Sequence, residues 1–328
     1  MEVSELWRNG KARSLKVGLN AKSFVTPTYF PSLSSTETTY SFRDLLHLLV
    51  DHRYPRLLLS AYDLSRLGQM EWSDTLTSFA TSGILFLDSG VFESTHLSDL
   101  KWAFEDYKAI VKRIKCDLYA TFDLSRTGSG SSDYWPLMVD SIRLSTEIKH
   151  AICVPIFHKP KGENVVSEVS KGLRDHPDSC QAIAITEKDC GQDLLERAST
   201  ISQIRELVDH NGGLSVIHVL GCGDPVSMTV LCYSGADSFD SLDWVRSVID
   251  PIQFRCHEFS QLSLLDCECA ACSVSTNEYS MRVLLHNLLA YQTMTSSLRS
   301  LVREQNLPNF VRYLVGDKLY LKIKEITH

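Results

Sequence analysis

The stretch SVIHVLGCG (Ser215–Gly223) holds an almost continuously apolar run, Val216–Leu220, that is followed by two glycines. A second run of this kind, ILFL (Ile84–Leu87), leads into Asp88-Ser89-Gly90. Strands that are apolar at nearly every position are typical of parallel sheets with helices on both faces. These two stretches therefore predict an α/β fold around a buried parallel sheet.

Similar runs recur at intervals of roughly 20 to 35 residues, the length of one strand–helix unit. Stretches with apolar residues at helical spacing lie between them, such as Trp102–Lys115 and Leu194–Val208. The predicted strands are Arg56–Ala61, Gly83–Asp88, Asp117–Asp123, Ala151–Phe157, Gln181–Ile185, Ser215–Gly221 and Ala236–Phe239. An open doubly wound sheet would show the same alternation, so periodicity alone does not decide between it and a barrel.

The residues that follow the predicted strands favour the barrel. They are polar or flexible in several places: Asp88-Ser89-Gly90, Asp123, His158, Gly221–Gly223 and Asp240. In a TIM-type barrel the carboxyl ends of the strands form the active-site face. We therefore predict a TIM-type (β/α)8 barrel, with an N-terminal hairpin at residues 14–31 that plugs its floor. The flexible stretch Gly128–Ser132 is a candidate substrate lid.

The composition is that of a globular enzyme, since 44% of the 328 residues are hydrophobic and 22% are charged. This length suits one large barrel, and we predict a single domain over residues 1–328. No uncharged apolar stretch of about 18 residues occurs and the first residues include several charges, so neither a membrane span nor a secretory signal is expected. The prediction is a cytoplasmic protein.

The net charge of −7 argues against non-specific coating of nucleic acid, which depends on Lys and Arg that neutralise phosphates. The most basic part of the chain is Arg299–Lys324. A solvated helical face is a sufficient explanation for such a run, and a local nucleic-acid-binding face is the alternative.

Three of the ten cysteines are clustered, with the spacing Cys267-x-Cys269-x-x-Cys272. Three thiolates at this spacing suit a tetrahedral Zn²⁺ that needs one more ligand. His286, in the amphipathic stretch Ser280–Glu304, is the candidate fourth ligand, and His257 is its alternative. Because a Cys₃His set leaves no position for water, we predict a structural zinc site in a module at about residues 256–304. The other cysteines are scattered singly and are expected to be reduced and buried.

Three aspartates follow predicted strands: Asp88 in LDSGVFE, Asp123 at the end of LYATFD, and Asp240 in GADSFDSLDWVR. Each on its own is typical of a helix cap or a turn. Carboxylates gathered at one barrel mouth repel one another, which raises one pKa and separates a nucleophile from an acid/base. The three aspartates are therefore the candidate catalytic residues.

In order along the chain, these segments resemble the tRNA-guanine transglycosylase superfamily. FVTPTYFPSL (Phe24–Leu33) resembles the family's opening hairpin, and RLLLSAYDL (Arg56–Leu64) resembles its strand that ends in Asn-Thr-Tyr-His-Leu. LDSGVFE is similar to DSGGFQ, ATFDLS to the FDE segment, HVLGCGDP to LMGVGxP, and GADSFDSLDWVR to GVDMFDCVLPTR. CECAACS and RVLLHNLLAYQ resemble the zinc module. The resemblance covers about residues 14–304.

The resemblance implies a pentosyl-transfer enzyme that exchanges a base in a polynucleotide. Asp240 would be the nucleophile on the sugar C1′, Asp88 the general acid/base, and Asp123 the carboxylate that binds the purine edge. Phe92 and Leu220 would sandwich the base. The other implied substrate contacts are Ser89, Gly90, His158, Gly221 and Arg246. The implied cofactor is structural Zn²⁺ on Cys267, Cys269, Cys272 and His286.

Departures from the family pattern bear on which polymer is the substrate. Phe157-His158-Lys159 replaces the Gln-Gly-Gly turn that binds the base, and Glu93 replaces the Gln of DSGGFQ. Arg246 matches the first Arg of an Arg-x-x-Arg anticodon reader, but Ile249 stands at the second position. The zinc module is shorter than in the tRNA enzymes, and no C-terminal RNA-binding domain is expected.

The favoured function is therefore exchange of guanine in DNA for a 7-deazaguanine such as preQ0. The first alternative is a tRNA-guanine transglycosylase of queuosine or archaeosine formation. The second is a non-catalytic accessory subunit, against which the three charged strand ends speak. The predicted partners are nucleic acid and a 7-deazaguanine base. Helper proteins of a modification system and a homodimer remain open, and no membrane partner is expected.

Overall fold

The computed structural model describes residues 1–67, 69–122, 135–148, 150–159, 164–274 and 278–327, without the side chains of residues 69–73. Asp123 and the predicted lid Gly128–Ser132 lie outside the described residues. Their roles therefore stay predictions.

The chain begins with a three-stranded antiparallel sheet of β1 (Glu2–Asn9), β2 (Ala12–Leu19) and β3 (Lys22–Val25). The predicted bounds of the hairpin, 14–31, are thus wrong at both ends. Antiparallel pairing already starts at Glu2, and the residues from Thr28 onward belong to the barrel. The missed signal is Gly10-Lys11, the two-residue turn between β1 and β2, in which Gly10 has a φ of 63°.

Parallel strands form a nearly closed barrel at the centre of the fold. They are β4 (Thr28–Leu33), β5 (Arg56–Ser60), β6 (Ile84–Asp88), β7 (Leu118–Ala120), β8 (Ile152–Val154), β9 (Ile156–Phe157), β10 (Ala182–Thr186), β11 (Val216–Leu220) and β12 (Ser238–Ser241). The pairing order is β8-β7-β6-β5-β4-β12-β11-β10-β9. Only Pro155 separates β8 from β9, and these two pieces pair with β7 and β10 respectively. The ring is consistent with the predicted TIM-type fold.

Alternation of buried side chains explains why the strands are apolar throughout. Leu57, Leu59, Leu85 and Leu87 pack outward with the helices, whereas their neighbours Leu58 and Phe86 point into the barrel. Inside, they meet the side chains of Leu15, Val17 and Phe24 from the N-terminal sheet. The N-terminal sheet therefore fills one end of the barrel, as predicted for the hairpin.

Helices cover the outside of the barrel and follow its strands. They are α1 (Phe42–Asp51), α2 (Ala61–Arg66), α3 (Gln69–Phe79), α4 (Val91–His96), α5 (Phe104–Arg113), α6 (Trp135–Glu147), α7 (Val165–Asp175), α8 (Glu187–Cys190), α9 (Leu194–His210), α10 (Pro225–Ser234), α11 (Asp243–Arg246), α12 (Ala270–Ser273), α13 (Tyr279–Arg303), α14 (Leu307–Val315) and α15 (Asp317–Thr327). The helices predicted at 102–115 and 194–208 correspond to α5 and α9. Of the helices in the described ranges, none is both long enough and apolar enough to cross a membrane.

After β12 the chain forms an additional module before it returns to the helical layer. An antiparallel hairpin of β13 (Ser247–Asp250) and β14 (Arg255–Glu258) is followed by a 3-10 turn, the cysteine cluster and the long helix α13. Val248, Leu262 and Val283 form a small separate core for this module. The predicted helix at Ser280–Glu304 corresponds to α13, and the module begins at Ser247, before the predicted residue 256.

A buried ion pair attaches α9 to the barrel. Arg205 and Asp237 are both fully buried and bond to each other directly. Arg205 Nε also donates to the carbonyl oxygen of Gly235 over 3.0 Å, and the Asp237 carboxylate accepts the amide N–H of Ile217 over 2.8 Å. Burial raises the pKa of Asp237, while Arg205 opposes that shift. The pair thus joins α9 to two neighbouring strands.

We expect Arg205→Met to lower the free energy of unfolding by about 3–5 kcal/mol, because Asp237 would keep a buried charge without its partner. The double variant Arg205→Met/Asp237→Asn should recover part of the loss, because it removes the unpaired charge. Urea denaturation of the two variants and the wild type measures both effects. A double variant no more stable than the single one would contradict this coupling.

Candidate functional site

A cavity of roughly 370 Å³ opens at the carboxyl ends of the barrel strands. Seven of the residues predicted from the sequence line it: Asp88, Ser89, Phe92, Leu220, Gly221, Asp240 and Arg246. They come from the ends of β6, β11 and β12 and the turns that follow, so the barrel brings together segments that are up to 158 residues apart in the chain (88 to 246). This is the face on which TIM-type barrels carry their chemistry.

The carboxylate of Asp240 is held on both oxygens. Oδ1 accepts the amide N–H of Gly221 over 3.1 Å and lies 3.1 Å from Nε2 of His218. Oδ2 accepts the hydroxyl of Ser32 over 2.5 Å. The side chain is nearly buried, with 5% of the residue exposed. Three partners thus fix its orientation at the cavity wall.

Asp88 ends β6 on the same cavity, and a glycine lets its turn pack closely. Oδ2 of Asp88 accepts the amide N–H of Gly90 over 3.1 Å. Gly90 has a φ of 76°, and a Cβ there would lie only 2.4 Å from the amide nitrogen of Tyr62. A side chain at this position would therefore be strained and would also clash. Gly90 packs closely against Tyr62 and is not among the residues that line the cavity.

Glu93 is a buried acidic residue of the cavity wall that was not among the predicted site residues. Its two oxygens accept the hydroxyls of Ser34 over 2.6 Å and Ser60 over 2.9 Å. Burial, and then the charges of Asp88 and Asp63, raise the pKa of Glu93 to about 8. Glu93 thus carries a proton at neutral pH. The available signal was its position in LDSGVFE, where the similar segment DSGGFQ has a neutral Gln.

Two other predicted substrate contacts, Arg246 and His158, each have an acidic partner within the protein. Arg246 lies at the mouth, where it forms an ion pair with Glu37 and also donates from Nε to the Glu37 carbonyl over 3.0 Å. His158 is not among the described residues that line the cavity. Its Nδ1 lies 2.8 Å from Oδ2 of Asp189, which also accepts the Thr186 hydroxyl over 2.8 Å. Asp189 of the neighbouring helix α8 is thus a partner of His158, and the substrate contact of His158 stays a prediction.

The three clustered cysteines and His286 come together as predicted. One ligand atom from each of Cys267, Cys269, Cys272 and His286 lies within 4.8 Å of all the others. Nδ1 of His286 is 3.5, 3.5 and 3.4 Å from the three sulfur atoms. A tetrahedral ion with bonds of about 2.3 Å to sulfur and about 2.0 Å to nitrogen would place them about 3.5 Å apart. The four residues could therefore hold a metal ion.

The alternative ligand His257 does not belong to this group, and it lies 3.9 Å from a carboxylate oxygen of Asp250. The other ring nitrogen of His286, Nε2, is 2.8 Å from the carbonyl oxygen of Ile249. This contact makes Nε2 the protonated nitrogen and leaves the lone pair of Nδ1 directed at the sulfur atoms. Burial lowers the pKa of His286, so the neutral form that a metal requires is favoured.

Helix α13 links the group of three cysteines and His286 to the cavity. Next to His286, the amide of Asn287 donates to the carbonyl oxygens of Trp244 and Ser247 over 2.8 and 2.6 Å. One turn further, the hydroxyl of Tyr291 donates to the carbonyl of Gly223 over 2.8 Å, and its ring stacks on Tyr29 at a centroid distance of 3.7 Å. The cluster thus stabilises the segments that follow β11 and β12.

The arrangement can support covalent chemistry, since one cavity combines the fixed carboxyl group of Asp240, the carboxyl group of Asp88 and the buried acid Glu93. Neither the comparison with protein-family models nor the search of curated proteins finds a match for the chain. Its function therefore has to be inferred from the site itself.

We expect the protein to bind about one divalent metal ion per chain and Cys267→Ser to lose it. Cys256→Ser is the matched control, because Cys256 is exposed and outside the cluster. Elemental analysis measures the metal, and thermal unfolding with and without a chelator measures its contribution, which is on the order of 10 kcal/mol in small zinc sites. Wild-type protein that is metal-free and insensitive to chelator would contradict the assignment.

Glu93 makes stability depend on pH in a defined direction. Its pKa rises from an ordinary 4.5 to about 8 on folding, so the folded state retains a proton that the unfolded chain releases. The resulting stabilisation is complete below about pH 4.5 and is lost as the pH rises through 8. Between pH 5 and about 8, the free energy of unfolding of the wild type should therefore fall relative to that of Glu93→Gln.

Urea denaturation of wild type and Glu93→Gln at several pH values tests this expectation. Glu105→Gln is the control, because the side chain of Glu105 is 78% exposed. Parallel pH profiles of the wild type and Glu93→Gln would show that Glu93 titrates normally.

Proposed function

We propose that the chain is a guanine transglycosylase that exchanges guanine in a polynucleotide, preferably DNA, for a 7-deazaguanine such as preQ0. The observation that carries the proposal is the anchored carboxylate of Asp240, which shares one cavity with Asp88 at the barrel mouth. The order of the family-like motifs along the chain supports it. So does the barrel fold, whose strand ends hold those motifs side by side.

The first half of the reaction releases guanine. A carboxylate oxygen of Asp240 forms a bond to C1′ of the target nucleotide while the bond between C1′ and N9 of guanine breaks. The electron pair of that bond leaves with the base, and Asp88 donates the proton that neutralises it. Positive charge develops on the sugar as the bond breaks, and the carboxylate stabilises it before it closes the covalent bond.

The second half reverses these steps with a different base. N9 of the incoming 7-deazaguanine attacks C1′ and gives its proton to Asp88. The bond between C1′ and Asp240 breaks, and its electron pair returns to the carboxylate. Both acidic groups are then in their starting states, so the enzyme turns over without any further reactant.

The cavity wall suits a flat base. Phe92 and Leu220 supply apolar surface, Ser89 and the amide of Gly221 supply polar groups, and the nucleotide has to leave its stack to enter. Asp123 is proposed to bind the purine edge, as the resemblance implies. In the metal module we propose a structural Zn²⁺, since a Cys₃His set fills all four tetrahedral positions with protein atoms.

The preference for DNA rests on the segment after Asp240. Ile249 stands where the second Arg of the anticodon reader would be, and it is fully buried. Its amide N–H donates to Asn287 over 2.9 Å, and its carbonyl faces His286. Residue 249 is buried against the metal module, so its side chain does not reach an RNA base. The loss of an anticodon contact supports a substrate other than tRNA.

A tRNA substrate is the second candidate, because α14 and α15 carry exposed basic residues that could contact RNA. They are Arg312, Lys318, Lys322 and Lys324. An accessory subunit without activity is disfavoured, because a scaffold does not need a buried carboxylate held by three partners. Burying such a group without a function costs stability.

Incubation of the protein with labelled guanine and either oligodeoxynucleotides or tRNA tests the proposal. We expect label in DNA, with binding that weakens steeply as salt rises. Asp240→Asn should abolish incorporation, because an amide is a poor nucleophile, while Asp175→Asn at an exposed surface position should retain it. Label in tRNA alone would favour the second candidate. Label in neither polymer would contradict a transglycosylase function.

A further inference from the structure

His218 lies directly beneath the proposed nucleophile, inside the barrel. It is the third residue of β11 and 2% exposed, with its ring 6.0 Å from that of Phe30 and 5.3 Å from that of Phe86. It is not among the described residues that line the cavity. His218 therefore acts on a substrate only through Asp240.

His218 accepts a hydrogen bond on one ring nitrogen and donates one from the other. The carboxylate of Asp240 already accepts N–H from Gly221 and O–H from Ser32, so it is the acceptor for Nε2 of His218 as well. Nε2 then carries the proton. Nδ1, which lies 2.8 Å from Oγ of Ser238, accepts the hydroxyl of that serine. In this arrangement Ser238 fixes the tautomer of the imidazole.

The two oxygens of Asp240 are consequently not equivalent. Oδ1 faces two N–H donors, from His218 and Gly221, whereas Oδ2 faces the single hydroxyl of Ser32. An oxygen with more donors has less electron density available for attack. The oxygen that is better able to form a new bond is therefore Oδ2.

We propose that His218 is a positioning residue that makes Oδ2 the attacking atom and Asp240 a good leaving group, an inference that rests on the proposed transglycosylase function. In the covalent intermediate, Oδ2 is bonded to C1′ and Oδ1 is a neutral ester carbonyl. When the incoming base attacks C1′, the electron pair of the C1′–Oδ2 bond returns and Oδ1 shares the negative charge. Donors on Oδ1 stabilise the anion more than the ester, so His218 speeds this release step.

Two substitutions of His218 separate hydrogen bonding from packing. In His218→Gln the side-chain amide extends to about the position of Nε2 and can still donate to Asp240. In His218→Asn the amide reaches only about the position of Nδ1, next to Ser238. We expect release of the base-exchanged product to slow by about 10- to 100-fold in His218→Asn, as for the loss of a donor to a charged group. Formation of the adduct should change less, and His218→Gln should stay close to the wild type.

The experiment follows the covalent adduct with a guanine-containing oligonucleotide, either DNA or tRNA, on a denaturing gel. Its formation is timed first, and then its disappearance after addition of excess guanine. Slower disappearance with little change in formation supports the inference. Equal slowing of both steps, or of neither, overturns it while the proposed function stands. A wild type that forms no adduct with either polymer overturns the proposed function itself.

Ser238→Ala covers the case in which His218→Asn does not fold. It keeps the contact between His218 and Asp240 but removes the donor to Nδ1. Release should then slow in the same direction by a smaller factor, because part of the imidazole adopts the other tautomer. Unchanged release in this variant would contradict the proposed chain of hydrogen bonds. Thermal unfolding of each variant verifies that the protein is folded.

Discussion

The parallel pairing of β12 with β4 is the contact on which the rest of the structure depends. It brings the first barrel strand beside the last, so Asp240 stands opposite Phe30 and within reach of the Ser32 hydroxyl. The same edge receives the metal module, because Trp244 donates to the Ser32 carbonyl over 2.9 Å and Tyr29 stacks on α13. Closure of the barrel and placement of the Asp240 carboxyl group at the cavity wall thus depend on the same strand pairing.

The carboxyl groups of the cavity have different hydrogen-bond partners and different charged neighbours. Asp240 is surrounded by donors from Ser32, His218 and Gly221, which fix the orientation of its carboxyl group. Glu93 is buried between serines near two other acids, and burial raises its pKa to about 8. A base exchange requires one carboxylate that attacks and leaves, together with a proton that departs with one base and returns with the next. In the proposed mechanism Asp240 takes the first role and Asp88 the second, so that the environment of each group, and not its residue type, would separate the roles.

Much of this could be predicted from the sequence, for physical reasons. Burial of both strand faces produces apolar runs that mark the barrel, and the clustered cysteines identify the metal ligands. The environment of Glu93 could not be predicted, because it depends on serines from β4 and β5 that are distant in sequence. The contact between His218 and Asp240 could not be predicted either, because His218 lies within an apolar strand and carries no motif of its own. The partner of His158, Asp189, could not be predicted either, because it belongs to the next strand–helix unit.

The most direct test of this account is to identify the residue that becomes attached to the nucleic acid. The protein would be quenched by denaturation during reaction with a guanine-containing oligonucleotide, digested, and examined by mass spectrometry. The account predicts a sugar-linked adduct on the peptide that contains Asp240, and none in protein to which no oligonucleotide was added. An adduct on Asp88 or on another residue would contradict the assignment of Asp240 as the nucleophile.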